Sequence, residues 1–226
     1  MNKRASCRGG NVLVITIVAL AAIVLAWIAF SVVSPAETPE EEEARLRREA
    51  LAALQLVEFN ATAADGSAFT REALTGGWTL LSFGFTHCQL ACPPMHANTM
   101  RLIAKLENTP LRFVTLSVDP VHDTPERLRE YTAQLGADPD RWTFVAMDAD
   151  QRDAVLDGLG MSVSIDTSDA NRITLPGSDN VMNNIDHPTR FILIGPEGEV
   201  VDMYPGMTSE TLEDTARSIR GHMLGG

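Results

Sequence analysis

The stretch WTLLSFGFTHCQLACPPMHANTMRLIAKL, residues 78–106, runs from an apolar segment into a proline-initiated helix, with two cysteines at the junction. Trp78 to Phe85 has the length and apolarity of a buried strand. Pro93-Pro94 suits the first turn of a helix reaching about Leu106, because proline there gives up no helical hydrogen bond. Cys88 then lies where the strand ends, and Cys92 at or next to the helix N-cap. The partial positive charge of a helix N-terminus favours a thiolate and lowers its pKa. Cα atoms one helical turn apart are also within disulfide range, about 6 Å. Thiol–disulfide exchange and metal ligation are both open to such a pair. Two inert cysteines fit less well, because strand ends at helix N-termini of open α/β sheets are where sites collect.

Outward from this unit the pattern repeats. Leu111 to Val118 is a second buried strand, and Asp123-Thr124-Pro125-Glu126 opens a helix with an N-cap and an acidic first turn, ending near Gly136. Trp142 to Met147 reads as a weaker strand and Asp150 to Leu159 as a short helix. Met161 to Asp186 has no sustained period; a structureless loop of that length is uncommon, so a small hairpin is expected within it. Thr189 to Ile194 and Glu199 to Tyr204 flank the turn Pro196-Glu197-Gly198 as an antiparallel pair, Thr208 to Met223 is a final helix, and Asp65-Gly66 marks a hairpin turn. Strand, helix, strand, helix, then a terminal hairpin and helix describe an α/β sandwich of the thioredoxin type.

The N-terminal part is different. Residues 1–11 carry Lys3, Arg4 and Arg8 without an acid, and residues 12–33 contain no charge and no proline. That run spans roughly 33 Å as a helix, enough for a bilayer core of about 30 Å. A signal peptide has a shorter apolar region, about 7–15 residues, and Ser34-Pro35-Ala36 is a poor cleavage site. We expect a single transmembrane anchor with residues 1–11 as a cytoplasmic tail, since the basic residues precede the span and Glu37 and Glu40 to Glu43 follow it. With no long Arg- and Ser-rich presequence, the expected membrane is the bacterial inner membrane, with the rest of the chain facing outside. Cys7 precedes the apolar run and reads as an unpaired cytoplasmic thiol. Residues 34–56 read as an acidic helical linker, with Glu41/Arg45 and Glu43/Arg47 at i,i+4 spacing and Leu46, Ala50, Ala53 and Val57 on one stripe. Residues 57–226 are the size of one domain. The formal net charge is −12, a balance that repels nucleic acid and argues against it as a partner.

Three blocks, FGFTHCQLACP (83–93), LSVDPVHDTPERLREY (116–131) and DHPTRFILIGPEGEVV (186–201), resemble the signature blocks of the Sco/SenC family. That family consists of membrane-anchored, thioredoxin-like copper proteins that assist assembly of the binuclear copper site of cytochrome c oxidase. The resemblance implies metal ligands at Cys88, Cys92 and His187, a loop-shaping or docking role and not a ligand's role for Asp119, and the oxidase copper-site subunit as recipient. Another copper chaperone or a thiol reductant is a further candidate partner. Gln89-Leu90-Ala91 replaces the more usual proline and acid between the cysteines, and Pro188 stands where serine or threonine is common. Ligand chemistry agrees with copper: thiolates select Cu(I), and an added imidazole makes a set that also holds Cu(II). Structural zinc usually takes four ligands from two close pairs, and no second pair exists here.

The resemblance thus implies a copper metallochaperone, with no catalytic residue. The competing reading is a membrane-anchored thiol–disulfide reductase with Cys88 and Cys92 as its redox pair. His187-Pro188-Thr189 before a strand would supply the cis-proline of such enzymes, whereas their usual C-x-x-C spacing is absent. Phe85 in place of the T-x-x-C threonine speaks against a peroxiredoxin. Other candidates have plain readings: His87 as a strand-end residue, Met95 and Met100 as core, His96 as exposed, Met203 and Met207 as packing residues, and His122 and His222 without partners at ligand spacing.

Overall fold

A computed structural model of the chain describes residues 9–33, 38–177 and 179–225. The expectations for Lys3, Arg4, Cys7 and Arg8, and for Ser34 to Glu37, lie outside the described residues. The chain divides into two compact units, Met1–Arg47 and Arg48–Gly226. In the first, α1 (Gly9–Val33) is a helix of 25 residues. Large apolar side chains all around it, among them Ile15, Leu25, Trp27 and Phe30, are exposed; a helix apolar on every side has no core face to distinguish. Its contiguous described side chains cover residues 14–28, and among the described residues no helix is long and apolar enough to cross a membrane. Helix α2 (Pro39–Ala52) starts in a reciprocal capping box: Glu41 N donates to Thr38 Oγ1 at 3.2 Å, and Thr38 N donates to Glu41 Oε2 at 2.8 Å.

The second unit is built around the strand that leads into the cysteine pair. Its elements are β1 (Asn60–Ala63), β2 (Ala68–Thr70), β3 (Thr79–Gly84), α3 (Cys92–Lys105), β4 (Arg112–Ser117), α4 (Pro125–Leu135), β5 (Trp142–Ala146) and α5 (Ala149–Gly158). There follow β6 (Ser164–Asp166), β7 (Ile173–Thr174), β8 (Val181–Met182), β9 (Asn184–Asp186), β10 (Arg190–Ile194), β11 (Val200–Pro205) and α6 (Leu212–Leu224). Seven strands form one sheet in the order β11-β10-β3-β4-β5-β1-β2. The middle three run parallel, whereas β10 joins β3, and β1 joins β5, antiparallel. This is the mixed α/β sandwich expected. The strand expected to be weak is a parallel strand inside the sheet, with Trp142 buried and its Nε1 donating to Thr115 Oγ1 at 2.9 Å. The expected hairpin between 161 and 186 is β7–β8, and it sits inside a second antiparallel pair, β6–β9.

Alternation along the parallel strands supplies two cores. Leu81, Phe83, Val114, Leu116 and Val145 face one side, where Val155 and Leu156 of α5, Leu74 and Phe59 cover them. Leu80, Phe113, Trp142 and Phe144 face the other, under Met95 and Leu102 of α3, Leu128 of α4 and Ala216 and Ile219 of α6. Leu56 belongs to the first core, with Leu51, Leu54 and Val57 packed against it. The C-terminal end of the acidic helix therefore leads directly into the folded unit.

Candidate metal centre

The segment between β3 and α3 decides where the sulfurs stand. Helix α3 has Ala91 as its N-cap, with no side-chain oxygen to accept a capping bond. The sulfur of Cys88 takes that place, accepting from Cys92 N at 3.3 Å. Its loop is tied down by Thr86, whose N and Oγ1 donate to the buried Asp123, Oγ1 at 2.7 Å from Oδ1. Asp123 also accepts from Ser117 Oγ at 2.5 Å. The cysteine loop is thus fastened to the start of α4 by one carboxylate, and burial pushes the pKa of that carboxyl up. Cys92 is 0% exposed, and its sulfur accepts from Phe85 N at 3.4 Å.

His187 arrives from the other side of the sheet's first parallel strand. Because β10 pairs with β3, the segment before β10 passes over the end of β3. His187 Nε2 stands 3.7 Å from Cys88 Sγ and 3.5 Å from Cys92 Sγ. Its Nδ1 lies 3.0 Å from Pro188 O; donating there puts the proton on Nδ1 and turns the Nε2 lone pair toward the sulfurs. The Phe85 ring meets the imidazole edge-on at 5.9 Å. One ligand atom from each of Cys88, Cys92 and His187 lies within 4.8 Å of the others. With metal–sulfur bonds of about 2.3 Å and metal–nitrogen bonds of about 2.0 Å, a trigonal or tetrahedral ion needs sulfur–nitrogen separations of roughly 3.5–3.7 Å. The observed separations match.

The two thiols are not equivalent. Cys88 is pushed down to about 3, first by the hydrogen bond from Cys92, with help from the amides of Cys92 and Leu90 against the cost of burial. Cys92 moves the other way, because it shares its proton with Cys88 and is deeply buried. The pair therefore holds one thiolate readily, and the second proton leaves with difficulty unless a cation takes its place.

Several plain readings need correction. His96 is buried, with Nδ1 3.1 Å from Tyr131 Oη and its ring against Trp142 and Phe144. Burial pushes its pKa down to about 4. Met95 is core as expected, but Met100 and Met207 are exposed at 40% and 45%. His122 does have partners: its Nδ1 lies 2.8 Å from Asp119 Oδ2, and the His87 ring stands edge-on to it. Asp119 shapes its loop as expected, accepting from Val121 N and His122 N. Among the described residues no peptide bond is cis, so Pro188 does not supply the reductase-type cis-proline. Sequence reasoning missed Asn98, a buried helix residue whose Nδ2 donates to Gly206 O at 2.8 Å. A buried asparagine on an otherwise apolar helix face was the available signal.

The SCO1/SenC family profile matches residues 48–223. The chain belongs to the SCO1/SenC family. The SCO1 protein homolog of Bacillus subtilis (strain 168) is 29% identical over 160 residues, covering 69% of this chain and 76% of its own length. The structure of BsSco, described as a member of the Sco family of cytochrome c oxidase assembly proteins, is 25% identical with a TM-score of 0.57. That match covers 75% of this chain and 93% of BsSco. The Arabidopsis thaliana ScoI solved with copper bound shares the fold at 24% identity and a TM-score of 0.60, covering 73% of this chain and 98% of that one.

Proposed function

We propose that this Sco protein is a copper metallochaperone that holds one copper ion between Cys88, Cys92 and His187 and passes it to the copper-site subunit of cytochrome c oxidase. The observation that carries the reading is the spacing of two sulfurs and one imidazole nitrogen at ion-binding separations, with the histidine lone pair aimed at both thiols. Soft sulfur donors favour Cu(I), and the nitrogen lets the same set hold Cu(II). Copper is cargo in this reading, so the half-buried histidine gives the recipient one exchangeable ligand. Residues 12–33 serve as a membrane anchor in the bacterial inner membrane, residues 1–11 as its cytoplasmic tail, and residues 57–226 as the copper-binding domain outside. Metal analysis of the full-length protein in detergent, reduced without oxygen and offered copper and zinc together, tests the reading. Tightly held copper at one equivalent per chain is expected; a chain that holds zinc or nothing overturns it.

A second reading, thiol–disulfide reduction of the oxidase's cysteines, draws support from the low pKa of Cys88 beside a partner thiol. His187→Ala separates the two. Delivery predicts loss of at least about tenfold in Cu(II) affinity, about 1.4 kcal/mol, with Cu(I) binding largely kept and oxidase maturation lost. Full oxidase activity in a deletion strain carrying the variant would instead favour thiol exchange, which needs no imidazole.

A further inference from the structure

A second group of metal-ligating side chains stands beside the first, with no sulfur in it. Asp119, two residues beyond the end of β4, is 2% exposed. Its Oδ1 accepts from Val121 N at 3.1 Å and His122 N at 3.2 Å, and its own N donates to Ser117 Oγ at 3.1 Å. The backbone thus fixes this carboxylate before any ligand arrives. Its Oδ2 faces His122 Nδ1 at 2.8 Å. His87, from the cysteine loop, brings a second imidazole edge-on to the first, with ring centroids 5.6 Å apart. One ligand atom from each of the three lies within 4.8 Å of the others. Both imidazoles are half-buried, so solvent reaches the group from one side.

We propose that His87, Asp119 and His122 form a second metal site, selective for a divalent transition-metal ion and, among those, for Cu(II). Two neutral imidazoles and a carboxylate are the donor set of such ions, and affinity in nitrogen and oxygen sites peaks at Cu(II) along the first-row series. Cu(I), which prefers sulfur, goes to the neighbouring thiolates. Three protein donors on a half-open face leave coordination positions for water, so the ion exchanges readily. Arg127 works against the site, since its Nε donates to Thr86 Oγ1 at 3.3 Å and brings positive charge close; the Asp119 carboxylate offsets it. An Asp–His pair alone would be an ordinary loop contact, but it gives no reason for a second imidazole from a separate loop to close the triangle. His87 precedes Cys88 in the chain, so an ion held here waits one residue from the sulfur pair. The site needs no thiolate and does not depend on copper delivery.

Cu(II) is titrated into the full-length protein in detergent, and two signals are followed. The thiolate-to-copper absorption band reports the sulfur site, and the parameters of the paramagnetic resonance spectrum separate copper held by nitrogen and oxygen alone from copper bonded to sulfur. In the wild type we expect a second equivalent that adds the nitrogen/oxygen spectrum without adding to the band. In His122→Ala that second equivalent is lost while the band is retained, and the band itself shows that the variant is folded. Should His122→Ala fail to fold, His87→Ala carries the same comparison. A wild type that saturates at one equivalent, or a second equivalent that persists in both variants, overturns the site.

Discussion

Replacing Gly84 by alanine would press a methyl group directly onto the deeper cysteine. A Cβ built on Gly84 would stand 3.0 Å from Cys92 Sγ, 3.6 Å from Thr115 Cγ2 and 3.7 Å from His96 Nε2. Ordinary van der Waals contact starts at 3.4 Å, so the sulfur would have to retreat by a few tenths of an ångström. It has no free direction, because Cys92 is 0% exposed and its sulfur is held by Phe85 N at 3.4 Å and faces His187 Nε2 at 3.5 Å. Overpacking of this kind costs about 1–3 kcal/mol, and metal–ligand distances tolerate only about 0.2 Å of error. We expect Gly84→Ala to lower the unfolding free energy of the reduced, metal-free protein by about 1–3 kcal/mol. It should also weaken Cu(I) binding about tenfold, or about 1.4 kcal/mol. Urea unfolding measures the first, and competition with a Cu(I) chelator of known affinity the second. Gly77→Ala is the control: its Cβ would meet only Arg112 Nη2 at 3.7 Å, so both quantities should stay within about 0.5 kcal/mol of wild type. A Gly84→Ala protein with wild-type stability and copper affinity would refute the packing argument.

Three further outcomes are expected. Burial holds His96 at about 4, below the ordinary 6.5, so the folded state binds fewer protons than the unfolded state between those values. The neutral imidazole's contribution is therefore fully present above about pH 6.5 and is lost as pH falls to about 4, at most about 3 kcal/mol; His96→Gln should flatten unfolding free energy against pH over that window, and an unchanged slope would assign it to other groups. Iodoacetamide at about pH 6 should alkylate Cys88 at least about tenfold faster than Cys92, since only Cys88 is a thiolate there; peptide mass mapping that finds the two equally labelled would contradict the assigned asymmetry. Asp123→Ala should destabilise the fold by about 3 kcal/mol by leaving Thr86 N buried without its acceptor, and Asp123→Asn should recover part of it; equal melting curves for all three proteins would show that the carboxylate does not fasten the loop.

What could be read in the sequence was whatever local order controls. The apolar run 78–85 and Pro93-Pro94 specify a strand and a helix start, and so they place Cys88 and Cys92 whatever the rest of the chain does. His187 entered only through the resemblance of whole blocks, because nothing in its surroundings marks it as a neighbour of residues 95 positions away. His96 was misread because a histidine on a helix face carries no sign of which way that face turns; here it turns onto Tyr131, Trp142 and Phe144. The pairing of His122 with Asp119 depends on a loop conformation set by two backbone amides, which no residue pattern displays. Strands of two and three residues, such as β6 to β9, are too short to establish a period, and so only a hairpin was foreseen where two nested pairs exist.

The histidine's place is a matter of register. Ile192 of β10 lies opposite Leu81 of β3, and continuing that antiparallel register five residues puts His187 level with Thr86, two residues short of Cys88. A slip of one residue would turn every β10 side chain to the other face and carry His187 away from the sulfurs. The register is held from both flanks. On one side β11 pairs along the whole of β10, from Arg190 opposite Pro205 to Ile194 opposite Val200. On the other, β3 pairs with it from Ile192 opposite Leu81 to Ile194 opposite Thr79, and α3 is tied to the β11 end, since Asn98 donates to Gly206 O and Gly206 N donates to Thr189 O, each at 2.8 Å. Gly206 has to lack a side chain, because a Cβ there would stand 2.6 Å from Thr189 O. The spacing between Cys88 and Cys92 needs none of this, being set by the bend between β3 and α3 and closed by the bond from Cys92 N to Cys88 Sγ. Two sulfurs fixed locally and one nitrogen fixed by sheet register give the protein two separable grades of site. In the proposed Cys88/Cys92/His187 site the thiolate pair suits Cu(I) alone, and an intact β10 edge adds the nitrogen that a Cu(II) ion held there would require.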